Sequence, residues 1–455
     1  MKILHYSLGL HPFRSGGLAK YSTDLMRMQI EMGNKVYLVY PGKIDVINRK
    51  IRIHRTNDDQ HINIFEMINP LPIPLLQGIN EPELFMKNGD IDVFRKLISV
   101  VKPDIIHIHT LMGLYREFFD AAHLQQIKIV YTTHDYFGLC PKAVLYDGKD
   151  ICHYKAMGNY CTKCNETAFP YWKMVILQSH VYKKYKSTSL LSKIRKESYN
   201  KINDIEAQEK TEISKSINYD RLNEYYRYMF SRIDYFHFNS KMTEYTFKKY
   251  LPDINGQSIN VTHNNISDNR IERAALNPIL RVAYLTSCSK FKGFDMLMQA
   301  IDELHKENYS IQLNVYNNYE SDRSYIKSCG MFAYDDLPQI YSHVDLVVVP
   351  SLWYETFGFL TLEALSYGMP VVVTQLVGSK DLIKDGYTGW IIEPNLNSLK
   401  QCLINICNNM SILQVINHNI LNEKFNFSFT EHAKLIDNFY TECIQAGGSV
   451  HDQIY

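Results

Sequence analysis

Pro350-Ser351-Leu352-Trp353-Tyr354-Glu355-Thr356-Phe357-Gly358-Phe359-Leu360-Thr361-Leu362-Glu363-Ala364-Leu365-Ser366-Tyr367-Gly368 is the stretch whose reading decides the fold. Before it, Leu346 to Val349 form a short apolar run, the pattern of a parallel strand buried on both faces. After it, Gly368-Met369-Pro370 stops a helix, and Val371-Val372-Val373-Thr374 reads as the next strand. The order is strand, glycine-bearing loop, helix, strand. A helix beginning near Gly358 aims unpaired backbone N–H groups and its positive end into the loop, which suits a phosphate. Glu355 precedes that helix and Glu363 lies about a turn inside it, so both border one cleft. A ligand with a diphosphate and paired hydroxyls, as a nucleotide sugar has, needs this combination of dipoles and carboxylates.

A chain of 455 residues can bury two substantial cores. Its 49 Lys and Arg against 48 Asp and Glu leave no basic excess for general nucleic-acid binding. The amino terminus runs directly into a strand pattern, without the apolar core of a signal peptide, and no run of about 18 apolar residues occurs. The expectation is a cytoplasmic protein, with peripheral contact at the inner face of a membrane left open. Nine cysteines in a reducing compartment argue for free thiols or a metal rather than a disulfide framework.

Working outward, Lys2 to Ser7 reads as a strand, Gly16-Gly17 as its turn, Leu18 to Met32 as an amphipathic helix and Lys35 to Tyr40 as the second strand. This βαβ opening lacks G-x-G-x-x-G, which disfavours a nicotinamide cofactor. Asp90-Ile91-Asp92 precedes a helix and has no strand leading into it, so it reads as a helix cap rather than a metal-holding pair. In the strand Pro103 to Thr110, His107 and His109 face one side. His109 is expected near the cleft, where the strand ends, and His107 in a structural place. A further strand from Ile127 ends in Thr132-Thr133-His134-Asp135, which sets His134 beside the crevice between domains.

Cys140, Cys152, Cys161 and Cys164, spaced C-x11-C-x8-C-x2-C, are an adequate tetrahedral ligand set. Two readings stand: a small structural zinc site, or free thiols. Four thiolates leave no open position, so no catalytic metal is expected there. Between about 169 and 230, Lys183, Lys184, Lys186, Lys193, Arg195 and Lys196 are interleaved with Tyr and Leu. That pattern fits a basic surface for anionic lipid or a lipid-diphosphate acceptor, and equally a solvated helical face.

Glu355 and Glu363, seven residues apart and set between P-S-x-x-x-E and A-x-x-x-G-x-P-V-V, resemble the E-x7-E signature of retaining glycosyltransferase family 4, the group 1 glycosyltransferases. Thr132-Thr133-His134-Asp135 with Cys140-Pro141, the segment Pro103 to His109, and Gly378 to Trp390 are similar to further stretches of that family. The resemblance implies the α/β GT-B fold: two Rossmann-like, doubly wound parallel-sheet domains facing a central cleft. It assigns 1–265 to an acceptor-side domain, in which cysteine spacing marks a Cys-rich loop at about 138–166 and a change of composition, outside the resemblance, marks a helical insertion at about 169–230. It assigns 277–425 to a nucleotide-sugar domain, and 426–455 to a C-terminal helix crossing back. Ile259 to Ile266 resembles the family's inter-domain strand and linker, with Asn265 where a glycine is usual, a residue that tolerates the left-handed conformation.

By the same resemblance Glu355 contacts donor-sugar hydroxyls, Glu363 holds the ribose hydroxyls and His134 touches the sugar from the first domain. Lys292, with the N–H groups of Phe357, Gly358 and Phe359, receives the diphosphate. Gly16 and Gly17 lie over it, and the backbone near Phe332 meets the base. Ser287 stands where the family usually has an arginine, and Lys290 is the candidate second cation. The implied activity is a retaining, metal-independent transfer from a UDP- or GDP-sugar to a hydroxyl of a saccharide or lipid-linked acceptor, in bacterial surface polysaccharide or glycolipid assembly. No catalytic cofactor is expected. The rival is a catalytically silent GT-B subunit that stabilises a partner enzyme.

Overall fold

A computed structural model describes residues 1–14, 16–74, 78–153, 158–178, 213–273 and 278–446. Apolar runs such as Ile105–Ile108, Leu346–Val349 and Val371–Thr374 are wholly buried, as parallel strands covered by helices on both faces must be. The first sheet holds β1 (Lys2–Tyr6), β2 (Lys35–Pro41), β3 (Arg52–Arg55), β4 (Asn63–Ile68), β5 (Ile105–Ile108), β6 (Lys128–Thr132), β7 (Tyr235–Phe238) and β8 (Gly256–Ser258). Their order is β3-β4-β2-β1-β5-β6-β7-β8, parallel throughout except for the β3–β4 pair. The second sheet holds β9 (Leu280–Tyr284), β10 (Ile311–Val315), β11 (Ile326–Ser328), β12 (Leu346–Val349), β13 (Val371–Thr374) and β14 (Trp390–Ile392), all parallel in the order β11-β10-β9-β12-β13-β14.

Each sheet reverses its winding once, between β1 and β5 in the first and between β9 and β12 in the second. At such a switch point the loops leaving the strands diverge and open a crevice at their carboxyl ends. The loops after β1, β5, β9 and β12 carry Gly16-Gly17, His109, Lys290 to Lys292, and Glu355 to Gly358 respectively. The fold therefore brings distant sequence segments to one crevice.

The helix Phe429–Ala446 leaves the second lobe and packs on the first. His432 Nε2 pairs with Tyr21 Oη at 2.9 Å, Asp437 accepts from Gln29 Nε2 at 2.9 Å, and Tyr440 Oη meets His107 Nδ1 at 2.5 Å. Ile436, Phe439 and Tyr440 share one apolar cluster with Ile3, Ile105 and Val130 of the first sheet and Val347 and Val371 of the second. Burial of this shared cluster couples the lobes.

Gly293 fixes the position of the β9 loop. Its φ is +74°, and a Cβ there would lie 1.8 Å from the Pro350 carbonyl oxygen. Neither the backbone conformation nor the approach accepts a side chain. Gly293→Ala is expected to destabilise the protein by roughly 2–4 kcal/mol; a urea midpoint equal to wild type would refute this.

Two local expectations change and one holds. Asn265 does not take a positive φ; its N–H bonds to His263 Nδ1 at 3.3 Å, which stabilises the turn without a left-handed residue. The expected inter-domain strand stops short of Ile259, since β8 ends at Ser258. Asp90 accepts from the Asp92 N–H at 3.1 Å and caps the helix Ile91–Val101. Among the described residues, no helix is long and apolar enough to cross a membrane. The basic stretch containing Lys183, Lys184, Lys186, Lys193, Arg195 and Lys196, and the tail from Gly447, lie outside the described residues.

Candidate active site between the lobes

The helix Phe359–Ser366 starts at Gly358, whose φ is +87°, and no side chain caps it. Its N-terminal N–H groups therefore present the partial positive charge of the helix without a side-chain hydrogen bond. Glu355 stands just before this end. Its Oε1 receives Lys292 Nζ at 2.6 Å, and its Oε2 accepts from Ser351 Oγ at 2.5 Å. Lys292 Nζ also lies 5.1 Å from the centre of the Trp353 ring. The two charged side chains are only 16% and 13% exposed, so water screens this pair weakly.

Glu363, one turn into the helix, is nearly buried. Its Oε1 accepts from Tyr334 Oη at 2.8 Å and faces His263 Nε2 at 3.3 Å. Sequence reasoning missed both partners. Tyr334 lies in the segment read only for its backbone, and His263 in the segment read only as a linker. The lobes meet at this helix. Thr356 Oγ1 donates to the His134 carbonyl at 3.1 Å, and Ser240 Oγ donates to the Thr356 carbonyl at 2.6 Å. A Cβ on Gly17 would lie 3.1 Å from Phe359, so the glycine pair lets the first lobe close onto the helix start.

Of the other expected residues, Phe357 is buried and packs edge-on against Phe359. Phe332 is half-buried against Tyr316. Lys290 is exposed on the short turn Lys290–Lys292. Ser287 is also exposed, with its Oγ 3.1 Å from Ser289 Oγ.

His109 does not line the cleft surface: it is fully buried behind His134, with Nδ1 3.2 Å from His134 Nε2. The two belong to a larger group. His5 Nδ1 lies 3.0 Å from His109 Nε2, and His5 Nε2 lies 2.9 Å from Gln29 Oε1. A second line runs from Tyr440 through His107, Thr132 and His237 to the Ile259 carbonyl. Burial lowers the pKa of His5 and His432 to about 3 and of His237 to about 4, and holds His107, His109 and His134 well below the ordinary range. All six are therefore neutral near pH 7.

His5, His107 and His109 bring ligand atoms within 4.8 Å of one another, the only such set of three or more metal-capable side chains among the described residues. All six of their ring nitrogens already have hydrogen-bond partners, so the set is a polar network rather than an open metal site. Cys140, Cys152, Cys161 and Cys164 form no set of three within that distance and no disulfide. Burial also pushes the thiols of Cys140, Cys161 and Cys164 upward, toward the protonated form. Cys161 nevertheless lies near enough to Cys140, Cys152 and Cys164 to feel the charge of each, so both readings of the spacing, a small structural zinc site and free thiols, stand.

Comparison with known proteins points the same way as the geometry. The model of Glycosyltransferase Family 4 matches residues 15–157, and that of Glycosyl transferases group 1 matches residues 279–409. One curated relative is the Escherichia coli UDP-Gal:alpha-D-GlcNAc-diphosphoundecaprenol alpha-1,3-galactosyltransferase, 28% identical over 28% of this chain and 33% of its own length. Another is the Staphylococcus aureus capsular polysaccharide biosynthesis glycosyltransferase CapM, 24% identical over 34% of this chain and 44% of its own length. The chain thus spans less than half the length of these curated relatives. Two solved structures share the fold over nearly the whole chain, each with a TM-score of 0.55. The sucrose-phosphate synthase of Thermosynechococcus elongatus is 14% identical over 98% of this chain and 99% of its own. Anabaena Alr3699/HepE in complex with UDP is 15% identical over 97% of this chain and 100% of its own. With one family model on each lobe and the GT-B fold joining them, this chain belongs to the family 4, group 1 glycosyltransferases.

Proposed function

We propose that this protein transfers a sugar, with retention of anomeric configuration, from a UDP- or GDP-sugar to a hydroxyl acceptor. The observation that carries the reading is the Lys292–Glu355 pair at the uncapped start of the helix Phe359–Ser366, facing the His134 loop of the other lobe. The diphosphate lies at the helix start, where Lys292 and the N–H groups of Phe357, Gly358 and Phe359 meet the negative charge that grows as the glycosidic bond breaks. Glu355 accepts from hydroxyls of the donor sugar. Glu363, steadied at Oε1 by Tyr334, accepts the ribose hydroxyls. The departing phosphate oxygen takes the acceptor's proton on the face it leaves, so no covalent nucleophile is needed. In this reading the cation is a lysine and no catalytic metal takes part.

The E. coli relative's name specifies a lipid-diphosphate acceptor and the S. aureus relative's name specifies capsular polysaccharide. Both support a role for this chain in surface polysaccharide or glycolipid assembly at the inner face of a membrane. Ser287, exposed where a second fixed cation is usual, keeps the silent-subunit reading as the alternative.

Thermal unfolding with UDP-, GDP- and ADP-sugars tests the reading. A donor at a hundred times its dissociation constant stabilises the folded state by about 2.7 kcal/mol. One nucleotide class is expected to raise the midpoint in wild type and to lose that effect in Glu363→Ala. No shift with any donor, in folded protein, favours the silent subunit.

A further inference from the structure

A line of hydrogen bonds runs from the returning helix to the cleft, and its direction is determined by its far end. Asp437, on the helix Phe429–Ala446, accepts at Oδ1 from Gln29 Nε2 at 2.9 Å and at Oδ2 from Asn34 Nδ2 at 2.5 Å. A carboxylate only accepts, so Gln29 must turn its amide nitrogen to Asp437 and its oxygen to His5. His5 therefore carries its proton on Nε2, donated to Gln29 Oε1 at 2.9 Å, and offers the lone pair of Nδ1. A neutral imidazole has one donor and one acceptor nitrogen. His109 must then donate from Nε2 to His5 at 3.0 Å and accept at Nδ1. The same step repeats at 3.2 Å, where His134 donates from Nε2 to His109. His5, Gln29 and His109 are fully buried, so water does not interrupt the series. His134 is half-buried, and its Nδ1 is not among the buried atoms that lack a partner.

We propose that Asp437, Gln29, His5 and His109 are positioning residues that lock His134 in the tautomer whose cleft-side nitrogen, Nδ1, accepts a hydrogen bond from a hydroxyl of the bound sugar. The assignment rests on the sugar-transfer reading for its ligand but not for its tautomer. It also gives the returning helix a chemical role, because the Asp437 carboxylate sets the polarity of a hydrogen bond in the cleft through three intervening side chains.

Nitrogen–proton correlation spectra of isotopically labelled histidine distinguish the two tautomers without any substrate. The His134 signals are identified by their loss in His134→Gln, and spectra are taken above the ordinary histidine titration range. Wild type is expected to show His134 protonated on Nε2; protonation on Nδ1 overturns the proposal with no variant required. Gln29→Leu removes the terminal acceptor, so the series is expected to reverse and place the His134 proton on Nδ1. With a nucleotide sugar as donor, kcat is then expected to fall about tenfold, the worth of one hydrogen bond. The double variant Gln29→Glu with Asp437→Asn exchanges amide and carboxylate yet keeps the direction. The new amide donates to the new carboxylate and still accepts from Asn34. It is expected to restore both the tautomer and most of the rate. A reversed tautomer with an unchanged rate removes the functional role. A correct tautomer in a protein that turns over no donor removes the transfer reading and leaves the series intact.

Discussion

Lys292→Met is expected to lower kcat/KM for sugar transfer about a hundredfold to a thousandfold, the usual consequence of removing one fixed electrostatic contact to a charge that develops in the transition state. Methionine keeps the length of the stem, so packing beside Trp353 persists while the charge is lost. The effect is large because Lys292 is 16% exposed and already fixed by Glu355 at 2.6 Å, so little reorganisation is needed when the diphosphate departs. Most of the loss should fall on kcat, since the diphosphate gains charge only as the bond breaks. Lys290 is the internal control. It is exposed on the same turn, where solvent screens its charge, and Lys290→Met is expected to cost less than about tenfold. Initial rates over a range of donor concentrations separate these outcomes, and a thermal midpoint for each variant excludes unfolding as the cause. Equal losses at the two lysines would mean that the Lys292–Glu355 pair is a structural ion pair only. A minor loss at Lys292 would move the diphosphate elsewhere.

The same pair shows what the sequence could reveal. Glu355, Gly358 and Glu363 were legible because one strand–loop–helix unit carries them, and local periodicity sets their relative positions. The parallel core strands were legible as uninterrupted apolar runs. Five strands were not: Arg52–Arg55, Asn63–Ile68, Gly256–Ser258, Ile326–Ser328 and Trp390–Ile392 carry no long uninterrupted apolar run, and all but Asn63–Ile68 lie at sheet edges, only partly buried. The paired face of His107 and His109 followed from strand alternation. Their partners did not, because His5, His237 and His432 come from β1, β7 and the last helix, and no spacing along the chain announces that meeting. The cysteines show the limit from the other side. Their spacing allowed a tetrahedral set or free thiols, and Cys140, Cys152, Cys161 and Cys164, in a loop and a short helix, lie near one another without any three sulfurs within 4.8 Å. Spacing reports what a segment permits; it does not report what the surrounding lobe packs against it.

Acidification is expected to unfold this protein between about pH 6 and pH 5, through its buried histidines. His5, His237 and His432 titrate at 6.5 when unfolded, but at about 3, 4 and 3 when folded. Below 6.5 the unfolded chain therefore binds protons that the folded chain refuses, and stability falls as pH falls. Between about pH 7.5 and pH 5 each of the three removes about 2 kcal/mol, and together they remove about 6 kcal/mol. His107, His109 and His134 are shifted in the same direction and add to the loss. Asp135 opposes it. Burial raises that carboxyl to about 6, so the folded state takes its proton first. Over the same interval it regains about 1 kcal/mol. A net loss of about 5 kcal/mol is comparable to the whole stability of an ordinary domain. Urea unfolding followed by circular dichroism across this range checks the slope, and a stability at about pH 5 within about 1 kcal/mol of that at about pH 7.5 would overturn the prediction. His237→Asn, which removes one titrating group, should make the dependence shallower by about 1.4 kcal/mol per pH unit. Because the histidine network joins β1, β5 and β7 to the returning helix, charge that enters there disrupts the contact through which that helix holds the lobes together. Loss of activity in this range should therefore coincide with loss of structure rather than precede it.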